Sequence, residues 1–181
     1  MNKDSNRLHG MEIFSLPTNF ADERGSYTEI FNSEVLSTKF TVNQVSIVRP
    51  KENSLRGFHG DEGTSKVISV LSGSFFIAII DPRKESPTYS KSFVKMVTGA
   101  DNIAFYLPPG LGNGFLALSP GCEYIYLQDT LYGQYNQFTI NYLDSRFKVE
   151  WPSSDFIISC LLYTSDAADD LLCVDLGGRR I

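Results

Sequence analysis

Short apolar runs rich in β-branched and aromatic residues recur along the chain, each cut by glycine, proline, asparagine or aspartate. SYTEIF, VNQVSIV, SKVISVL, SFFIAII, NIAFYLP, GFLAL, EYIYLQD and QFTINYL are of this kind. Runs this short, bounded by turn residues, predict strands. Only NSEVLSTKF hints weakly at helical spacing, and the glycine in VLSGSFF predicts a hairpin. No internal repeat or low-complexity linker breaks the pattern. The chain therefore reads as all-β, a sandwich, jelly roll or barrel in a single domain.

Two positions disturb the apolar pattern. In KVISVL alternate side chains face opposite ways, so Lys66 shares a face with Ile68 and Val70. A lysine there either snorkels out at the strand end or points into a pocket to meet negative charge. Just upstream, SLRGFHGD holds His59, one of two histidines; the other, His9, lies in the polar N-terminal lead.

Composition narrows the classes of function. The chain of 181 residues is 42% apolar and 20% charged, as expected of a soluble globular protein with a real core. No run approaches the roughly 20 apolar residues that cross a bilayer. The polar start MNKDSNRLHG predicts a cytoplasmic protein. A net charge of -5 without a Lys/Arg cluster argues against a nucleic-acid surface, although a few arginines can still bind a small anion locally. The last residues, CLLYTSDAADDLLCVDLGGRRI at 160–181, read as the translation of a sequencing-library adapter. They are expected to be a non-native tail after a domain at 1–159 whose natural C-terminus is cut short. Cys160 and Cys173 fall in that tail, which leaves Cys122 as a small buried side chain and no disulfide framework.

Inventory limits what His59 can do. A transition-metal site needs several histidine or carboxylate ligands converging on one ion, so no metal is expected. There is no G-x-S-x-G, and Cys122 has no evident base. Proton transfer suits an imidazole with an ordinary pKa of about 6.5. Composition leaves that role and a structural or solvent-facing ring both open.

FADERGSYTEIF, QVSIVRPKENSLRGFHGD, KVISVLSGSFFIAIIDPRKESPTY, YLPPGLGNGF, YIYLQDTLY and VEWP follow one another in that order. Together they resemble the dTDP-4-dehydrorhamnose 3,5-epimerase family, cofactor-free relatives of the cupin-like jelly rolls (double-stranded β-helices). The likeness runs from about residue 10 to Ser159. It implies a nucleotide-linked 4-keto-6-deoxy sugar as substrate, no cofactor, and a homodimer. It also implies a base at His59, an acid at Tyr126, and an ammonium at Lys66 near the enolate oxygen. Arg24 would meet the diphosphate, within one chain or across the dimer interface, and Glu29, Gln44, Arg56, Asn113, Tyr132 and Gln137 would complete the substrate site. Arginine suits the task because its planar fork holds two phosphate oxygens at once.

The chain departs from the family pattern in several places. Asn113 stands where histidine is common, Gln137 where many members have glutamate, and Ser46 where asparagine is usual. The segment between His59 and Lys66 is short. In the family an aspartate soon after WP pairs with the base histidine and orients its ring. That position here is Leu162, while Asp155 comes too early and Asp166 lies in the tail. The resemblance thus implies a chain that folds and binds yet turns over slowly. Within the family the rivals are a 3,4-ketoisomerase or a single-centre epimerase. Outside it the rivals are a non-catalytic sugar-nucleotide binder and, weakest, a metal-dependent cupin.

Overall fold

The computed structural model describes residues 7–16, 18–32 and 34–158. The expected tail at 160–181 lies outside them, with Leu162 and Asp166. The described residues form thirteen strands: β1 Glu12–Ser15, β2 Thr18–Asp22, β3 Gly25–Glu29, β4 Gln44–Val48, β5 Ser54–Asp61, β6 Lys66–Ser72, β7 Ser74–Ile80, β8 Ser92–Thr98, β9 Ile103–Leu107, β10 Gly112–Ala117, β11 Glu123–Gln128, β12 Gln137–Ile140 and β13 Ile157–Ile158. The only helix among the described residues is a single 3-10 turn, Gly99–Asp101. The all-β reading holds.

Two antiparallel sheets carry the fold, ordered β1-β9-β6-β11-β4 and β12-β5-β10-β7-β8, with β13 added in parallel to β5. Their inner faces share a core that includes Ile68, Val70, Phe75, Ile77, Ile79, Phe105, Phe115 and Tyr124. Phe115 and Tyr124 pack with ring centroids 4.9 Å apart. The outer face of the second sheet is covered by Tyr142, Phe147, Trp151 and Phe156 from the C-terminal segment. A separate hairpin, β2–β3, stands apart from both sheets.

Two expectations are corrected. The NSEVLSTKF segment is not helical: residues 34–40 form turns and bends, and its apolar spacing instead seats Leu36 and Phe40 on the outer face of the first sheet, with Val67 and Tyr106. The VLSGSFF break is not a hairpin, because β6 pairs with β9 and β11 whereas β7 pairs with β8 and β10. Gly73 therefore turns the chain from one sheet to the other, at φ 76°, and a Cβ there would fall 2.5 Å from Cys122 Sγ. Such a φ suits glycine. The buried Cys122 is thus a packing residue at this crossing.

The DPRKESPT segment is a structural knot. Asp81 is fully buried and accepts hydrogen bonds from Arg83 Nη2 (2.7 Å), Ser86 Oγ (2.5 Å) and Thr88 Oγ1 (2.6 Å). Burial alone would raise its pKa, yet these donors bring it from 3.8 to about 2. A folded-state pKa below the unfolded one contributes stability that is present above about pH 4 and lost as pH falls toward 2. Asp81 is expected to contribute about 2 kcal/mol in this way. Urea midpoints of wild type and Asp81→Asn at pH 7 and pH 3 check it: the gap between the two proteins should narrow at the lower pH.

Candidate active site

Strand register decides which side chains meet. On the inner face of the first sheet, Lys66, Gln128 and Gln44 lie in one row across β6, β11 and β4. The next row is Ile68, Tyr126 and Ser46, and the next is Val70, Tyr124 and Val48. The rows pass from polar to apolar, so the polar end is the mouth of the sandwich and the apolar end its floor. Gln44 ties the upper rows together, with its Nε2 donating to Ser46 Oγ at 3.3 Å and to Gln128 Oε1 at 3.4 Å.

The facing sheet delivers His59 through an irregularity. His59 pairs with Asn113 but Arg56 pairs with Phe115, so three steps on β5 span two on β10. This bulge places Arg56 and His59 on the inner face, whereas odd spacing in a regular strand would put them on opposite faces. Leu55 and Phe58 correspondingly share the outer core. Gly114 permits it: a Cβ there would lie 2.9 Å from the Arg56 carbonyl oxygen.

His59 Nδ1 lies 3.1 Å from Thr139 Oγ1, directly opposite on β12. With the threonine oxygen accepting from Nδ1–H, Nε2 keeps its lone pair toward the mouth. The ring is open to solvent on one side and crowded on the others. That crowding, and then the positive charges of Lys66 and Arg56, hold its pKa below the ordinary histidine value, while Asp61 acts in the opposite sense.

Across the mouth, Asn113 Nδ2 donates to the Tyr126 hydroxyl at 3.1 Å. Burial raises the Tyr126 pKa, opposed by that hydrogen bond and by Arg56, so the phenol keeps its proton at neutral pH. Lys66 Nζ lies 2.5 Å from Asp61 Oδ2, and both side chains are nearly inaccessible to solvent. The inward option for Lys66 is the observed one, and its partner is Asp61.

Of the predicted site residues, His59, Lys66, Tyr126, Arg56, Asn113 and Gln44 converge on this mouth. Gln137 of β12 is exposed opposite Asp61, and Tyr132 is 75% exposed while its backbone N–H donates to Gln44 Oε1 at 2.8 Å. Arg24 is not brought in. It sits on the β2–β3 turn, its side chain 85% exposed and paired with Asp22 at 2.5 Å. Glu29 ends β3 and accepts from Asn32 Nδ2. A concavity of about 660 Å³ lies along the hairpin, lined by Phe20, Asp22, Arg24 and Tyr27, and none of the residues gathered around His59 lines it. Sequence reading passed over Asp61 and Thr139. Alternation along β5 pairs Asp61 with His59, whereas Thr139 becomes visible only once β12 is known to lie beside β5. Among the described residues, no three His, Cys, Asp or Glu side chains cluster to hold a metal ion. No helix among them is long and apolar enough to cross a membrane.

Comparison with known proteins gives a consistent neighbourhood. The family described as dTDP-4-dehydrorhamnose 3,5-epimerase matches residues 6–171. The enzyme of that name from Salmonella typhimurium is 31% identical over 163 residues, covering 86% of this chain and 87% of its own. A dTDP-4-dehydro-6-deoxyglucose 3-epimerase from Streptomyces sp. is 30% identical over 144 residues, covering 76% and 74%. The crystal structure of a dTDP-6-deoxy-D-glucose-3,5-epimerase from Legionella pneumophila, in complex with dTDP-4-keto-L-rhamnose, superposes with a TM-score of 0.78 at 28% identity, covering 84% of this chain and 85% of that one.

Proposed function

The chain belongs to the dTDP-4-dehydrorhamnose 3,5-epimerase family, and from that premise we infer that it epimerises a dTDP-linked 4-keto-6-deoxy sugar at C3 and C5. The observation that carries this reading is that an imidazole and a protonated phenol project from facing sheets into one mouth. His59 Nε2 takes the proton next to the ketone, and the C–H electron pair moves onto the C4 oxygen as an enolate. The Lys66 ammonium stabilises that oxygen. Tyr126 then gives its proton to the carbon from the opposite side, which inverts the centre. A lowered His59 pKa keeps the base neutral and a raised Tyr126 pKa keeps the acid protonated. Arg56 supplies positive charge for the diphosphate.

A single-centre reading has support of its own. Asn113 stands where the family commonly has histidine, and the Streptomyces relative is a 3-epimerase. NMR in deuterated buffer with dTDP-4-keto-6-deoxyglucose separates the two: deuterium is expected at both C3 and C5, and at only one under the alternative. Tyr126→Phe should still exchange protons but yield inverted product roughly 100-fold more slowly. No exchange in wild type would sink the epimerase reading and leave a binder.

A second copy belongs to the proposal. The hairpin exposes Phe20 at 70% and Tyr27 at 62%, and it carries Arg24 away from its own mouth. A homodimer would cover those rings and bring Arg24 to a neighbouring diphosphate. A single-chain mass in light scattering would remove this part. The buried free thiol of Cys122 suits the reducing cytoplasm.

A further inference from the structure

Asp61 has no part in the reaction described so far, yet it is the charged group closest to Lys66. Its residue is 5% exposed, and its carboxylate meets the lysine ammonium at 2.5 Å. An ammonium this deep between two sheets is tolerated only with a counter-charge. The pair joins β5 to β6 across the short loop at 62–65, whose other bonds hold it equally firmly. Glu62 N–H donates to Asn136 O at 3.0 Å, Ser65 N–H to Asp129 Oδ1 at 2.8 Å, and the Thr64 and Thr130 hydroxyls meet at 2.7 Å. Asp61 is itself fixed, because its carbonyl accepts from Gly110 N–H at 2.7 Å. A short side chain on an anchored backbone leaves the ammonium little freedom. A lysine head carries three N–H donors, so one spent on Asp61 leaves two for an oxygen in the mouth.

The same carboxylate acts on the base. Asp61 lies two residues after His59 on the same face of β5, and its negative charge opposes Lys66 and Arg56. The strands beside β5 add only neutral groups next to the ring, Asn113 from β10 and Thr139 from β12, with the Tyr126 hydroxyl of β11 bonded to Asn113. We propose that Asp61 is a positioning residue: it seats the Lys66 ammonium at the mouth and sets the charge that His59 meets when it takes a proton. The catalytic half of this assignment rests on the epimerase reading; the electrostatic half does not.

The test is an NMR titration of the His59 ring in wild type and Asp61→Asn without substrate, followed by deuterium exchange kinetics on both. Removing the carboxylate removes a charge that favours the imidazolium, so the His59 midpoint is expected to fall by roughly half a pH unit or more. The kcat for exchange is expected to drop roughly 10- to 100-fold with KM within about threefold, and the acid limb of its pH profile to move down with the titration. An unchanged or higher midpoint, or wild-type kcat, overturns the proposal. Should Asp61→Asn not fold, Lys66→Met and the Asp61→Asn/Lys66→Met double variant give the same comparison. A lower midpoint in the double supports the assignment, and an equal or higher one overturns it. Failure of the epimerase reading looks different: wild type shows no exchange while the midpoint still shifts.

Discussion

His59→Ala is expected to reduce deuterium exchange next to the ketone by roughly a thousandfold or more, with the fold intact. The ring is open to solvent on one side and makes one side-chain hydrogen bond, to Thr139, so its loss removes little packing. The loss falls on the proton-accepting step alone, and binding of dTDP should stay within a few fold. The pH dependence follows from the environment of the ring. Crowding and the nearby cations lower its pKa, so the neutral base persists below the ordinary histidine midpoint. The acid fall of the wild-type kcat/KM should therefore have its midpoint below that of an ordinary histidine. Exchange by His59→Ala within tenfold of wild type would remove His59 from the role of base.

The second large effect is expected at a residue with no chemistry. Gly114→Val should destabilise the protein by about 3 kcal/mol, lower Tm by about 10 °C, and take exchange activity down with it. A Cβ at this position would lie 2.9 Å from the Arg56 carbonyl oxygen and 3.2 Å from both Gly57 C and the Phe58 ring. Backbone at that distance cannot rotate away, so the valine must push β5 off β10 where the bulge forms. Relaxing the bulge by one residue would carry either Arg56 or His59 to the outer face. Thermal melts with exchange assays below the melting range distinguish this outcome from simple unfolding. A variant that melts like wild type would show that the bulge does not depend on Gly114.

The strands that could be read in the chain are those whose composition matches their setting. SFFIAII is β7 without a residue's error, and EYIYLQ and the KVISVL run fall on β11 and β6. Those are interior strands, covered on both faces and rich in branched and aromatic residues. β5 was not visible as a strand, although it carries His59. Its SLRGFHGD sequence has two glycines, no period of two, and charged residues facing inward, because the bulge breaks the alternation. β8 escaped notice for another reason: it is an edge strand with Val94 and Met96 turned to solvent. The motif singled out His59, Lys66 and Tyr126, and strand register brings these three to one mouth. What the motif could not convey was pairing across space. Lys66 is answered by Asp61, and His59 by Thr139, a residue 80 positions away.

Neighbours in these sheets are strangers in chain order. β1 lies beside β9, β4 beside β11, and β5 between β10 and β12. A nascent chain that has emerged only as far as β9 already holds His59 and Lys66 but lacks Asn113, Tyr126 and Thr139. Until β10 and β12 follow, β5 has neither of its antiparallel partners. Loops that long must close before their contacts repay the entropy lost, so the final collapse belongs after synthesis, on the order of milliseconds to seconds. During that interval the open edges of β4 and β5 are where one unfinished chain would capture another.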